Sequence, residues 1–204
     1  MRIPCDLPLP DGAYIELKKD SEQRWIFAAN GQNIFAKVSV PAHTAPLTRD
    51  HYRCVYHADD KTASIIRFAD LHRHSDNSLM DGLSKVPDIV KATEYAGALT
   101  DHGNMHGFLE YFLSMKEAGK KPIIGFEAYV EDLNGGLNGA HLILLAKNQS
   151  GYKNLLYLTS EAYDHFHGKP HVTWEMLQNH HDGVVATSAC AGGLIQKYLS
   201  AGDR

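Results

Sequence analysis

Over the first sixty-odd residues, apolar positions come in short, partly alternating runs. AYIELKK, RWIFAAN and IFAKVSV are separated by the turn-forming stretches DSEQ and NGQN, and Pro41 and Pro46 punctuate the segment after them. Period-two runs bounded in this way predict strands, so residues 1–64 read as a small β-rich appendage. From residue 65 the pattern changes to strands alternating with helices. IIRFADL predicts a strand and SKVPDIVKATEY a helix, with Ser84 placed to cap it and Pro87 in its first turn. AGALT predicts a second strand. MHGFLEYFLSMKEAG predicts an amphipathic helix with Phe108, Leu109, Phe112 and Leu113 along one side and Gly119 as its stop. KPIIGFEAYV and HLILLA predict a third and a fourth strand, and GYKNLLYLTSEAY and TWEMLQNHH two more helices. GVVATSA predicts a fifth strand, and AGGLIQKYLSAG a closing helix.

This order predicts an α/β fold built from βαβ units around a largely parallel sheet or barrel. EDLNGGLNGA, between the third and fourth strands, is too short for a helical crossover and predicts a hairpin.

Composition narrows the class. With 204 residues, 44% hydrophobic and 22% charged, the chain suits one medium domain with a small addition and can bury a core. A net charge of −4 argues against a strongly basic nucleic-acid footprint, leaving a local basic groove or phosphate binding through metal ions. No apolar run approaches membrane-spanning length, and MRIPCDLPLPDG lacks the layout of a signal peptide, so no membrane partner is expected. Cys5, Cys54 and Cys190 are too few and too scattered for a disulfide framework, which predicts a reducing, cytoplasmic location.

The thirteen histidines are an excess, and several sit where strands end. After the first strand comes His72-Arg73-His74, with Asp76 and Asp81 close behind; after the second comes Thr100-Asp101-His102-Gly103. The third strand carries Glu127, the fourth opens with His141, and the fifth runs into Cys190. Functional groups gather at the carboxyl ends of strands in α/β barrels and open sheets. His141 fits least well, being at the start of its strand, unless a hairpin brings it round. Histidines two apart on extended backbone face the same side. Imidazole, carboxylate and thiolate together suit zinc, iron or manganese rather than calcium or magnesium alone. Any one of these signals has a plain structural explanation, but their recurrence at five successive strand ends favours a shared metal site. Ser75 and Asp76 read as shapers of the loop after His74. His106 reads as solvent-facing, His43, His51 and His57 as surface or packing residues, and Trp174 as a core anchor.

HRHSDNSLMDG, ALTDHGNMHGFLEYFLSMKEAGKKPIIGFEAYV, HLILLAKNQSGYKNLLYLTSEAY and GVVATSACAGGLIQKYLSAGD also carry a family resemblance. They resemble the PHP (polymerase and histidinol phosphatase) domain, in the version that opens the alpha subunit of bacterial DNA polymerase III, a C-family replicative polymerase. The resemblance runs from about residue 67 to the end, and TDHGNMHGF and KPIIGFEAYV favour the polymerase branch over free-standing phosphatases. It implies a distorted (βα)7 TIM-like barrel binding up to three divalent metals (zinc, manganese or iron). By motif, His72 and His74 hold one metal, and Glu127 bridges it to a second completed by His141 and Cys190; Asp81 and His102 hold the third.

Two departures qualify the resemblance. The family's last Asp-x-His motif lies beyond the point matching Cys190, and the segment between Asp81 and His102 is a few residues short. The resemblance therefore implies an incomplete barrel with fewer metals. The function it implies is metal-dependent 3′–5′ exonuclease proofreading of a DNA primer end, beside the remainder of a replicative polymerase, with this chain alone weak or inactive. The alternatives are an inert PHP scaffold docking a separate proofreading exonuclease subunit, and a small-molecule PHP phosphoesterase.

Overall fold

A computed structural model describes residues 2–22, 24–29, 32–34, 51–65, 68–132, 136 and 139–202. Pro41, Pro46, His43 and the end of IFAKVSV lie outside the described residues, as does the side chain of His51. The chain divides into two compact units, Met1–Arg67 and Phe68–Arg204.

In the first unit the alternating runs form strands. They are β1 (Arg2–Pro4), β2 (Tyr14–Lys19), β3 (Trp25–Ala29), β4 (Gln32–Ile34), β5 (His51–His57) and β6 (Thr62–Ile65). They pair antiparallel in the order β1-β6-β5-β2-β3-β4. Alternation puts Ile15 and Leu17 of β2 on the buried face, where they join Ile3, Phe27, Cys54 and Tyr56.

The second unit runs β7 (Ala69–Asp70), α1 (Val86–Ala92), β8 (Ala96–Leu99), α2 (Phe108–Glu117) and β9 (Lys121–Val130). It continues with β10 (Ala140–Ala146), α3 (Gln149–Asp164), β11 (His171–Val172), α4 (Trp174–Asn179), β12 (Val184–Thr187) and α5 (Leu194–Ser200). Its sheet has the order β12-β10-β9-β8-β7, and β11 adds to the far end of β9. β7, β8, β9 and β11 are parallel where they pair, whereas β10 runs against both β9 and β12. The hairpin expected from the short loop is therefore present.

β9 organises this unit because both its faces are covered. Phe126, Ala128 and Val130 pack with Leu144 of β10 and with Leu155, Leu158 and Ala162 of α3. Removing such a side chain, as in Leu158→Ala, costs roughly 2–5 kcal/mol. The opposite face holds a small apolar patch of Ala98, Ile143 and Leu145, and then turns polar at Glu127.

Three local expectations are corrected. IIRFADL is not one strand: Ile65 pairs with Cys54 in the first sheet, while β7 begins the second. Ser84 does not cap α1. Lys85 occupies the cap position without a side-chain bond, the Ser84 carbonyl accepts from the Asp76 N–H, and Pro87 does lie in the first turn. On α2, Leu109, Phe112 and Leu113 are 56%, 39% and 57% exposed, while Tyr111 and Met115 are buried with Val86, Ile89 and Leu99. The helix carries two apolar arcs, and periodicity alone does not tell which one the sheet and α1 cover.

Candidate metal centre

Register brings the polar residues together. In the β9–β10 hairpin Ile143 stands opposite Glu127 and His141 opposite Tyr129, so Glu127, Tyr129 and His141 share one face. The reversal carries His141, second in sequence on β10, to the carboxyl end of β9. Past the end of β8, His102 continues the parallel pairing as a bridge to Glu127. There the Glu127 N–H donates to the Asp101 carbonyl at 3.0 Å, and the Gly103 N–H donates to the Glu127 carbonyl at 2.8 Å. His72 and His74 follow β7 on non-strand backbone; between them, Arg73 is engaged elsewhere, with Asp70 and with the Thr93 hydroxyl at 2.8 Å. Cys190 follows β12 through Ala189, whose φ of +58° is left-handed, and its sulfur accepts the Gly192 N–H at 3.4 Å.

All seven candidate side chains join one network around Glu127, which is fully buried. Glu127 Oε2 lies 2.7 Å from His72 Nε2 and 3.0 Å from His74 Nε2, and those two nitrogens are 3.1 Å apart. Glu127 Oε1 lies 2.7 Å from His141 Nδ1 and 3.7 Å from Cys190 Sγ, with Cys190 Sγ 3.2 Å from His141 Nδ1. Asp81 Oδ2 is 2.9 Å from His102 Nε2, and the His102 ring stacks on His74 at 4.3 Å.

The electrostatics are those of several imidazoles crowded on one carboxylate. Burial by itself would raise the Glu127 carboxyl; hydrogen bonds from His74 and His72 and the charge of His102 outweigh it and hold the group down at about 2. For His74 burial works downward, but the hydrogen bond and charge of Glu127 prevail and raise the ring above its usual value. Burial lowers His141 despite Glu127, with the charges of His102 and Lys169 adding to it.

Three overlapping sets have ligand atoms within 4.8 Å of one another: His72, His74 and Glu127; His74, Asp81 and His102; and His102, Glu127 and His141. His102 Nδ1 is buried without a hydrogen-bond partner, its nearest carboxylate oxygen being Glu127 Oε2 at 3.5 Å. A buried ring nitrogen left without a partner is costly unless a ligand meets it. The residues present therefore fit divalent cations.

A supporting shell went unread in the sequence. Asp101, 2% exposed, accepts the Ser75 N–H at 2.6 Å and the hydroxyls of Ser75 and Ser78 at 2.8 and 3.2 Å. Ser78 in turn accepts the His102 N–H at 2.9 Å. Asp101 thus ties the loop after His74 to the loop holding His102. Its one signal was its place beside His102, which a turn or cap explains equally well. Asp76, by contrast, pairs with Lys85 at 3.2 Å, away from the cluster. His106 is exposed, while His180 stacks on Tyr157 at 3.7 Å.

A mixed α/β sheet that gathers imidazoles, carboxylates and a thiol at its strand ends defines a class, and comparison with known proteins agrees. The family profile described as PHP domain matches residues 70–204, and the chain belongs to that family. It is similar to DNA polymerase III subunit alpha of Borreliella burgdorferi, 45% identical over 150 residues that cover 66% of this chain and 13% of the relative. The subunit of the same name from Thermus aquaticus is 40% identical over 152 residues, covering 67% of this chain and 12% of the relative. The chain spans about an eighth of the length of these relatives.

Two solved structures overlap in part. One is of a protein assigned as a metal-dependent phosphoesterase from Bifidobacterium adolescentis, 19% identical; the other is of an amidohydrolase from Chromobacterium violaceum, 24% identical. Each covers 47% of this chain and 33% of the other at a TM-score of 0.37, too little to carry weight. Among the described residues no helix is long and apolar enough to cross a membrane.

Proposed function

We propose that the cluster is a metal-dependent phosphoesterase site of the 3′–5′ exonuclease type, acting on a DNA primer end within a cytoplasmic replicative polymerase. The domain would begin near residue 65, as part of a distorted (βα)7 barrel, with residues 1–64 a separate appendage. The observation that carries the reading is Glu127, a fully buried carboxylate contacted through its two oxygens by His72, His74 and His141.

His72, His74 and Glu127 would hold one cation; Glu127, His141 and Cys190 a second; and Asp81 and His102 a third. Zinc, manganese or iron suits these donors. Bound divalent cations supply Lewis acidity toward a phosphodiester and acidify water. The chain's residues do the positioning. Glu127 stays ionised through the working pH range because the surrounding rings hold its carboxyl low. Asp81, 48% exposed, fixes the His102 ring through Nε2 while leaving the cluster open to solvent on that side. Asp101 and Ser78 hold the backbone that carries His74 and His102.

The test is metal stoichiometry at neutral pH, followed by nucleotide release from a 3′-mismatched primer with added manganese. Bound metal, and release that disappears in Asp81→Asn, supports the reading. No bound metal selects an inert scaffold for a separate proofreading exonuclease. Hydrolysis of phosphate monoesters without action on DNA ends selects a small-molecule phosphoesterase.

A further inference from the structure

On the side of the cluster where His102 and Tyr129 lie, a cleft of about 440 Å³ opens to solvent. Binding sites for small molecules commonly enclose roughly 300–1,000 Å³ between apolar walls with a few fixed polar groups. Leu79 and Met80, 91% and 93% exposed, form part of the wall with Tyr163, and Lys169 stands among them.

The position of Lys169 is set by the fold. The His167 N–H donates to the Lys169 carbonyl at 3.0 Å, and Gly168 turns the chain at φ +72°. The next residue, Pro170, packs against the loop that carries His102, at Gly103 (φ +66°). A Cβ on Gly103 would meet Pro170 Cγ at 2.7 Å and Tyr129 Cε2 at 3.2 Å. Lys169 Nζ stands 4.4 Å from the centroid of the Tyr129 ring, which itself lies 5.6 Å from His102 and 5.2 Å from His141. A cation is thus held at the rim of a group of imidazoles, and among the described residues no carboxylate pairs with it. Lys169 is exposed and its ammonium faces the Tyr129 ring, which makes this an ordinary surface position for a cation. Beside a bound phosphate it is a favourable one, since a charge-assisted hydrogen bond to an anion is about twice as strong as a neutral one.

We propose that Lys169 is a substrate-binding residue of this site, donating to a non-bridging oxygen of the scissile phosphate, and that the adjoining cleft takes the nucleoside esterified to it. The aromatic and apolar walls offer a surface on which any base can stack. This assignment rests on the phosphoesterase reading above and names the substrate part that each residue meets.

The test uses the 204-residue chain loaded with manganese, the probes being inorganic phosphate and thymidine 5′-monophosphate, with binding followed by calorimetry. Lys169→Met weakens both probes about tenfold, the scale of one charge-assisted hydrogen bond. It leaves manganese binding unchanged, and Lys169→Arg restores most of the loss. Leu79→Ser with Met80→Ser, at positions too exposed to matter for folding, weakens the nucleotide and spares phosphate. If wild type and Lys169→Met bind manganese and phosphate alike, the role of Lys169 is overturned while the metal centre stands. If the Leu79 and Met80 changes affect both probes equally or neither, the nucleoside cleft is overturned. Absence of manganese binding by wild type overturns the phosphoesterase reading itself.

Discussion

Cys5 and Cys54 of the first unit are 6% and 0% exposed among apolar side chains, and burial pushes their thiols up, to about 11 and about 12. Cys190 of the second unit lies half-buried, 3.2 Å from His141 and 3.7 Å from Glu127. The same residue type is a small packing group in one sheet and a member of a polar network in the other. The carboxylates differ in the same way. Asp20 and Asp60 in the first unit are held low by local hydrogen bonds at the surface, from the Arg24 backbone and the Thr62 hydroxyl respectively. Glu127 is held low in the interior, where only several convergent partners can outweigh its desolvation. Burial alone therefore does not mark a functional group. Burial of a charge that several separate elements converge to satisfy is a stronger sign, because such convergence cannot arise from one local turn.

The comparison is broken most directly at Glu127. Glu127→Gln keeps the shape and removes the charge, and manganese or zinc affinity falls by 100-fold or more, read by calorimetric titration; affinity equal to wild type removes the bridging role. The variant sharpens the contrast when set beside Cys54→Ala in the first unit, which leaves metal affinity unchanged.

Asp101→Ala tests whether the buried support shell acts on the cluster. Loss of its bonds to Ser75 and Ser78 loosens the loops of His74 and His102, and metal affinity falls about 10- to 100-fold, the usual range for groups that orient ligands. A change in thermal stability with no change in affinity would make Asp101 purely structural.

Next in size is Cys54→Ser, which buries a hydroxyl in an apolar sheet. Stability of the first unit falls by about 1–3 kcal/mol in denaturant unfolding, while metal binding by the second holds. In the same protein without metal, a thiol reagent labels Cys190 well before Cys5 or Cys54, and zinc protects it; mass spectrometry reads the order.

The last effect is in pH. In metal-free protein the Glu127 carboxyl lies at about 2 against a usual 4.5, so its ionised form contributes stability above pH 4.5 that is lost as pH falls toward 2. His74, raised above 6.5, contributes below that pH and loses its contribution as pH rises through its folded value; His141, lowered, opposes it. In chelator, the stability advantage of wild type over Glu127→Gln narrows as pH drops from 4.5 to 2, followed by circular dichroism. A constant gap would show that Glu127 is not the group titrating.

Short-range features were legible in the sequence because they are local. The alternation in YIELKK, the run KPIIGFEAYV, Pro87 in the first turn of its helix and Gly119 at φ +67° each follow from backbone sterics or a two-residue period. So did the suspicion that residues ending several strands belong together, since strand ends converge in any α/β sheet. Other features depended on which surface packs against which. Periodicity marked Leu109, Phe112 and Leu113 as part of the apolar side of α2, and packing buried Tyr111 and Met115 instead. Nothing near residue 101 in the sequence announces that its carboxylate will reach across 26 positions to Ser75, nor that Pro170 will seat Lys169 beside His102. Such contacts join segments distant in the chain, and their energies exist only once the sheet has closed the distance. The sequence on its own determined the elements and the kinds of ligand; only tertiary structure decided which carboxylate was buried, which charges surrounded it, and where the cleft opened.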